Sequence, residues 1–318
     1  MFRLVVLLLS VVLARSTATS EPVVLNGDIA YASDQDGDFE IYVMEADGSN
    51  IRQLTSNSED DSEPIWSPTG EEILFTRDVG THTEIFKMLP DGTNQTSLTP
   101  DLFSYDGQWS PDGLRIAFTV VTASGSQNVY VMDADGSNKV NLIDDDTIRV
   151  NAAPLWSNDG NHVYFITDRE YPYGSALDPT TVDLYRMEAS GANPTKIFTM
   201  GIYFSGMDIS PVDPTLLVYG SARLGGAIFT RNLASSQESV LVNGVDDSGA
   251  YPAWAPDGSK LVFARGGTAL ATMDPSGANV VDLRVFDTSV RVRSPHWQPI
   301  VTEPTDAEAR PCGRHSQP

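Results

Sequence analysis

The chain contains very little cysteine: Cys312 is the only one in 318 residues. An internal disulfide framework is therefore excluded, because a bridge needs two cysteines. Cys312 falls in a polar, proline-containing segment after Pro299, and we interpret it as an incidental tail residue, with intermolecular pairing as the alternative. Burial of apolar surface must stabilise the fold, and a domain of about 275 residues is large enough for that.

Catalytic motifs are missing too. The sequence has no Gly-x-Ser-x-Gly, no His-Glu-x-x-His, no phosphate-binding Gly-rich loop and no cysteine nucleophile within the repeats described below. It has four histidines, of which only His82 falls among loops that vary in length. These absences disfavour an enzyme without excluding one.

Positive charge is scarce. Lys and Arg total 20 against 43 Asp and Glu, which gives a formal net charge of −23. Such a surface repels nucleic acid and anionic membranes and favours cationic partners or divalent cations. We therefore expect no nucleic-acid partner. A role of the acidity in solubility alone is the alternative.

Only one long apolar run is present, and it is too short to span a bilayer. Leu4 to Leu13 is almost wholly apolar, whereas about 20 residues are needed. It follows Arg3 and precedes a small-x-small site, Ala18-Thr-Ser20, as in a secretory signal. We predict a cleaved signal peptide at 1–20, no membrane span, and a secreted or periplasmic location.

What the chain does have is a repeat. A tryptophan followed by a tight-turn signal recurs along it, and the spacings are 43, 47, 53, 45 and 43 residues when a degenerate copy is included. The copies are Trp66-Ser-Pro-Thr-Gly70, Trp109-Ser-Pro-Asp-Gly113, Trp156-Ser-Asn-Asp-Gly160, Ile209-Ser-Pro, Trp254-Ala-Pro-Asp-Gly258 and Trp297-Gln-Pro. Periods of this size are typical of propeller blades or solenoid units.

The strand content of one repeat favours blades. Each turn precedes a short apolar run such as Ile73-Leu-Phe-Thr, and further strands flank Asp-Gly hairpin signals such as Ala46-Asp-Gly-Ser-Asn50. A third strand is expected to end in Leu54-Thr55 or Leu98-Thr99. With the tryptophan strand, each unit has four strands, whose apolar faces are buried when neighbouring units stack.

The two ends of the repeat region complete each other. The first repeat begins at Ile29-Ala-Tyr-Ala without a tryptophan strand, and an extra one, Arg293-Ser-Pro-His-Trp297, follows the last repeat. Pairing them closes a ring and removes exposed edges. We predict an all-β fold: a six-bladed β-propeller of four-stranded blades over residues 21–298, circularly closed by the C-terminal strand, with a disordered tail at 299–318.

The repeat resembles a known family. Ile41-Tyr-Val-Met-Glu-Ala-Asp-Gly-Ser-Asn-Ile-Arg-Gln-Leu-Thr55, with Pro64-Ile-Trp-Ser-Pro-Thr-Gly70, is similar to the WD40-like repeat of TolB-type six-bladed propellers, and the similarity spans residues 29 to 298. TolB proteins have an α/β domain before the propeller, which we do not expect here. The resemblance implies the fold, and it implies function only loosely.

Propeller topology predicts two different faces. The Trp-Ser-Pro-Asp-Gly and Asp-Gly hairpin turns fall on one face, and loops of varying length, where binding usually resides, fall on the other. Acidic residues are expected to be concentrated there, and the longest loop, Asp168 to Asp183, adds arginine and tyrosines, which are enriched at binding hot spots. The predicted partner-binding residues are Asp60, Asp61, Asp168, Arg169, Tyr171, Tyr173, Asp246 and Asp247.

Two groups in these loops have the residue types of a metal site. Asp34, Asp36, Asp38 and Glu40 place carboxylates at alternate positions, as Ca²⁺ or another divalent cation can use, although the full EF-hand pattern is absent. Asp78, His82 and Glu84 could form a site of mixed ligands. A solvated hairpin turn and a flexible polar loop are the respective alternatives.

The sequence thus favours an exported, non-enzymatic scaffold that binds a protein with a cationic surface through its acidic loops. A metal-dependent hydrolase or lyase acting on a sugar or lactone in the channel is the alternative. A purely structural surface protein is the third interpretation.

Overall fold

The computed structural model describes residues 23–143, 150–169, 181–202, 204–245 and 250–302. Every regular element in these ranges is a β-strand, and the strands form six four-stranded sheets. The same ranges include no helix with the length and apolarity needed to cross a membrane. The predicted all-β, six-bladed architecture is confirmed.

Each sheet is one blade whose strands run antiparallel from the central channel outwards. Blade 1 consists of β24 (Val292–Thr302), β1 (Val23–Ser33), β2 (Glu40–Met44) and β3 (Arg52–Gln53); blade 2 of β4 (Asp61–Trp66), β5 (Ile73–Asp78), β6 (Thr83–Met88) and β7 (Thr96–Ser97); blade 3 of β8 (Ser104–Trp109), β9 (Arg115–Val121), β10 (Gln127–Asp133) and β11 (Val140–Asn141); blade 4 of β12 (Asn151–Trp156), β13 (His162–Thr167), β14 (Thr181–Glu188) and β15 (Thr195–Ile202); blade 5 of β16 (Phe204–Ile209), β17 (Leu216–Ser221), β18 (Ala227–Asn232) and β19 (Glu238–Asn243); blade 6 of β20 (Ala253–Trp254), β21 (Leu261–Arg265), β22 (Ala269–Met273) and β23 (Val281–Val285).

The ring is closed as the sequence predicts. The C-terminal strand β24 is the innermost strand of blade 1, beside β1, so that the first blade is built from both ends of the repeat region. The degenerate copy at Ile209 also forms an innermost strand, β16. Closure places a blade on each side of every other blade, so that no apolar sheet face is left uncovered at the ends of the repeat.

The hydrophobic core lies between the blades. Six buried clusters occur among the described residues, one at each junction, and each combines side chains from two adjacent blades. Each tryptophan lies on an inner strand, at its end except for Trp297, and packs toward the preceding blade, as Trp66 does against blade 1. The closing junction has the same construction, with Trp297 packed beside Leu270 of blade 6. Burial of a large aromatic side chain contributes roughly 3 kcal/mol, so these residues hold the ring together.

The outer strands differ from the prediction. We expected strands ending in Leu54-Thr55 and Leu98-Thr99, but β3 and β7 end earlier. The threonine hydroxyls take over the role of a strand acceptor: Thr55 Oγ1 accepts the backbone N–H of Ile41, and Thr99 Oγ1 accepts that of Ile85, both at 2.8 Å. A side-chain oxygen thus satisfies a backbone donor that a longer ladder would otherwise pair.

Residues Val24–Val301 form one compact unit. Strand β24 continues past the expected end of the propeller at 298 as far as Thr302. The predicted signal peptide 1–20 and Cys312 lie outside the described residues.

Candidate functional site: the variable-loop face and the channel

The two faces of the propeller are built from different connections. The turns after each inner strand and the hairpins between the third and fourth strands fall on one face, which we call the uniform face. The loops between the second and third strands, and those that lead to the next blade, fall on the opposite face, which we call the variable-loop face. The second-to-third-strand loops range from 266–268 in blade 6 to 168–180 in blade 4.

A buried ionic network supports the variable-loop face between blades 1 and 2. Glu40 and Asp61, each 0% exposed, both bond to the side chain of Asn57, and Glu40 also accepts the Asn57 backbone N–H. Arg77 holds Asp61 through two hydrogen bonds of 2.7 Å. Burial raises the pKa of Glu40 to about 7, with the neighbouring Asp61 acting in the same direction. These acids anchor the loop that precedes β4.

The carboxylates of the predicted Asp34–Glu40 metal group do not share one site, and those with partners bond to different residues. Asp34 accepts the backbone N–H of Arg291 and pairs with its guanidinium at 2.7 Å, and Asp36 accepts the side-chain amide of Gln53. Asp38 has a buried oxygen, Oδ2, with no hydrogen-bond partner among the described residues, and burial, assisted by Asp36, raises its pKa.

The second metal candidate is also engaged within the protein. His82 Nε2 lies 3.1 Å from Glu84 Oε1, and Glu84 further accepts the Ser97 hydroxyl and the Asp101 backbone N–H. The carboxylate of Asp78 accepts the N–H of Gly80. Over the described ranges, no group of three or more His, Cys, Asp or Glu side chains is arranged to hold a metal ion, and both sites stay predictions.

The predicted partner-binding residues have different environments. Asp60 is exposed at the variable-loop face, and one of its oxygens accepts the Phe39 backbone N–H at 2.9 Å. Asp61 is buried, as described above, and Asp168 is also buried and accepts the backbone N–H of Val150. Half-buried Arg169 places its guanidinium 5.4 Å from the ring centroid of Tyr185. Tyr171, Tyr173, Asp246 and Asp247 lie outside the described residues.

Acidic residues are not restricted to the variable-loop face, and on the uniform face they build turns. Asp112 accepts the Ser110 hydroxyl and the Leu114 backbone N–H. Asp159 is bonded in the same way by Ser157 and Asn161, and the Ser157 hydroxyl is the main cause that lowers its pKa to about 2. The repeated turn motif thus accounts for part of the acidic composition.

The central channel contains a feature that the repeat analysis missed. The residue three positions before each tryptophan, or before Ile209, adopts a positive φ. In blades 2 to 5 the register of the innermost strand shifts at this position, as in a β-bulge, and in blade 6 the residue precedes β20. We call these six residues the bulge ring: Glu63 (φ 55°), Asp106 (55°), Ala153 (49°), Gly206 (71°), Tyr251 (43°) and Ser294 (52°). A bulge re-aims a side chain, and all six line a cavity of about 290 Å³. The recurring x-Pro-x-Trp pattern at four of these positions was the available signal.

Inner-strand side chains also tie adjacent blades together across the channel. Glu63 Oε2 accepts the Asp106 backbone N–H at 3.2 Å, and Asp208 Oδ2 accepts that of Trp254 at 2.7 Å. At the closing junction, His296 Nδ1 accepts the backbone N–H of Trp66 at 3.3 Å. In each bond a backbone N–H beside the channel donates to a side chain of the preceding blade.

Enclosure in the channel changes the ionisation of these groups. Burial raises the pKa of Asp208 to about 7 and lowers that of His296 to about 4. Burial, reinforced by the nearby Glu63, raises the pKa of Asp106 well above its usual value. At neutral pH His296 is therefore uncharged, in agreement with its role as a hydrogen-bond acceptor.

The sequence matches the model of a known protein family. Residues 103–301 match the model of the TolB beta propeller domain. The chain is 33% identical over 138 residues to the Tol-Pal system protein TolB of Anaeromyxobacter dehalogenans (strain 2CP-C), a match that covers 43% of this chain and 31% of that protein. The chain thus spans about a third of the length of the curated relatives it matches.

Solved structures agree on the fold. The crystal structure of TolB from Acinetobacter baumannii superposes with a TM-score of 0.69 at 18% identity, covering 86% of this chain and 66% of that one. The structure of putative TolB from Agrobacterium tumefaciens gives a TM-score of 0.63 at 17% identity, covering 86% of this chain and 99% of that one. At this level of identity the similarity concerns the fold alone.

Proposed function

The chain belongs to the TolB β-propeller domain family, and from this membership we propose that it is an exported, non-enzymatic scaffold that binds a protein partner through its variable-loop face. The curated relatives are proteins of the Tol-Pal system by name, which favours a protein partner for this chain as well. The observation that carries the proposal is a closed ring of blades, with short turns on one face and loops that differ in length on the other.

The proposed contact residues are the acidic and aromatic ones of the variable-loop face. Asp60 is exposed, and Arg169 is held at the base of the longest loop by its contact with Tyr185. Tyr171 and Tyr173 in that loop, with Asp246 and Asp247 in the loop before β20, complete the proposed surface. The partner would carry a cationic surface, because the chain has a formal net charge of −23.

Buried acids have a supporting role in this proposal. The carboxylate of Asp61 is enclosed and paired with Arg77, and that of Asp168 is bonded to the Val150 backbone N–H. We assign to both the positioning of the loops that contact the partner. Their removal would act through loop structure, whereas removal of Asp60 would act on the contact itself.

A charge-matched pair of variants tests the face. D36N/D60N removes two exposed charges from the variable-loop face, and each asparagine retains an oxygen for the bonds from Gln53 and Phe39. E71Q/D135N removes two exposed charges from the uniform face. Y171A/Y173A tests the longest loop separately.

Pull-down from the native extracytoplasmic extract, quantified at two ionic strengths, is the measurement. We expect one protein to be recovered by the wild type and by E71Q/D135N, and to be reduced with D36N/D60N and with Y171A/Y173A. Equal recovery by all four proteins would overturn the assigned face. Turnover of a sugar or lactone that requires an added divalent cation would favour the alternative enzyme instead.

A further inference from the structure

The channel cavity has a chemical character that the proposed protein-binding face does not use. Its lining includes three carboxyl groups, those of Glu63, Asp106 and Asp208. No lysine or arginine is among the described residues that line it, and His296 is uncharged at neutral pH, as shown above. The lining is therefore acidic without an internal counter-charge.

One polar group in the lining has no partner. Ser294 is 8% exposed, and its Oγ has no hydrogen bond within the described ranges. A buried hydroxyl without a partner costs free energy unless a ligand or water satisfies it. Ser294 belongs to the same bulge ring as Glu63 and Asp106, and all three line the one cavity.

The carboxylates have acceptor capacity to spare. Glu63 Oε2 accepts the Thr76 hydroxyl at 2.9 Å and the Asp106 backbone N–H, whereas Oε1 accepts nothing from the part of the chain that is described. The closeness of Glu63 is one cause of the raised pKa of Asp106. A bound cation would favour the charged form of Asp106.

The remainder of the lining is apolar and aromatic. Ala153 contributes only a methyl group and Gly206 no side chain, and Tyr105 and Tyr251 contribute aromatic surface. An aromatic ring beside carboxylates suits an organic cation, because its face attracts positive charge while its carbon surface packs against an alkyl chain. About 290 Å³ is the space of a small ligand.

We propose that this cavity binds the ammonium group of a primary alkylamine, with Glu63 and Asp106 as counter-charges and Ser294 Oγ as an acceptor. An ammonium group has three donors and no acceptor, so it can donate to the carboxylates of Glu63 and Asp106 and to Ser294 Oγ together. The amine could be a free small molecule or a lysine side chain, and the experiment separates these sources. The site is independent of the protein-binding face.

Isothermal titration of the mature chain tests the site. The ligands are n-butylamine, 1,4-diaminobutane, N-acetyl-lysine amide, 1-butanol as an uncharged control of the same shape, and CaCl₂. We expect saturable binding of at least one amine with Kd near or below about 1 mM and none of 1-butanol. Tighter binding of the lysine amide than of butylamine would identify a lysine side chain as the source, and the reverse a free amine.

Three variants connect the binding to the cavity. E63Q/D106N removes the charges and keeps acceptors for the existing bonds, and A153L fills the cavity without a change of charge. Each should weaken amine binding at least about tenfold, because charge-assisted hydrogen bonds or space are lost. E71Q, exposed on the uniform face, should bind amine as the wild type does.

The outcomes are distinct from those of the partner experiment. Thermal unfolding of each variant shows whether its fold is retained. If E63Q/D106N is unfolded, the effect of A153L on amine binding decides whether the cavity is the binding site. No amine binding by the wild type, whether or not CaCl₂ binds, would overturn the proposal. Amine binding unchanged in A153L would overturn it too. Loss of the protein partner with D36N/D60N would leave it untouched.

Discussion

Arg77 and Asp61 form a two-point ion pair across two strands of blade 2, with Nε to Oδ1 and Nη2 to Oδ2 both at 2.7 Å. Asp61 also accepts a hydrogen bond from Asn57 Nδ2, which donates to Glu40 of blade 1 as well. The pair therefore connects two blades beneath the variable-loop face. This arrangement makes the junction between blades 1 and 2 sensitive to the loss of one charge.

Removal of Arg77 should destabilise the protein strongly. R77A leaves the Asp61 carboxylate buried without its counter-charge, and breaking such a pair costs about 3–5 kcal/mol. The exposed pair of Arg265 and Asp282 is a matched control, since R265A should cost less than about 1 kcal/mol. Urea unfolding at pH 7 measures both. Similar values for the two variants would show that the buried pair is not a stabilising element.

Asp208 should make stability decrease as the pH rises. Its pKa in the fold is about 7, above the usual value of an aspartate, so the folded state binds more protons than the unfolded state between about pH 4 and 7. D208N keeps an oxygen for the Trp254 N–H and removes this titration. We expect the variant to gain about 2–4 kcal/mol over the wild type on going from pH 4 to pH 8.

Urea unfolding of both proteins across that range is the measurement, and the difference curve cancels the opposite contribution of His296. D159N is the control of opposite sign, because hydrogen bonds lower the pKa of Asp159 to about 2. That variant should be less stable than the wild type near pH 7, and the gap should close as the pH falls through about 4 to 2. A flat difference curve for D208N would contradict a raised pKa.

The closing junction should be as important as an internal one. Trp297 is buried between blades 1 and 6, with 3% of its surface exposed. Trp156 is buried between blades 3 and 4, with 4% exposed. W297A and W156A should each lower the free energy of unfolding by about 3–5 kcal/mol. Chemical denaturation monitored by circular dichroism tests this. A W297A effect below about 1 kcal/mol, with W156A fully destabilising, would indicate that the ring is open in solution.

Two glycines of identical φ separate backbone strain from contact between blades. Gly191 and Gly80 both have φ of +87°, but a Cβ on Gly191 would lie 2.6 Å from the Leu142 carbonyl oxygen, whereas one on Gly80 would meet no described atom within 4 Å. G80A should cost about 1–2 kcal/mol from the left-handed conformation alone. G191A should cost about 1–3 kcal/mol more, because its turn touches the neighbouring blade. Equal unfolding midpoints would contradict that contact.

The fold could be predicted from the sequence because the same strand and turn motifs recur in successive repeats. The tryptophan register and the Asp-Gly turns determine where each blade begins, and the unpaired strand ending in Trp297 indicates closure. The ends of β3 and β7 could not be predicted, because the hydroxyls of Thr55 and Thr99 replace ladder acceptors and end the regular pairing.

The candidate sites were less predictable, since burial decides what a carboxylate does. Asp60 and Asp61 are neighbours in sequence, yet the first is exposed and the second is enclosed and paired with Arg77. Asp106 and Asp208 lie on inner strands and not in a variable loop, so the loop analysis of the sequence did not indicate that they line the channel.

The bulge ring also has a consequence for how the binding selectivity of such a protein can evolve. Within this one chain, the same backbone position is occupied by a glutamate, an aspartate, an alanine, a glycine, a tyrosine and a serine, all with positive φ. Ala153 packs against a core cluster and Glu63 bonds to blade 3, but the buried clusters themselves consist of other side chains. Substitutions in the bulge ring would therefore allow a new selectivity to arise, or to be engineered, while those clusters stay unchanged.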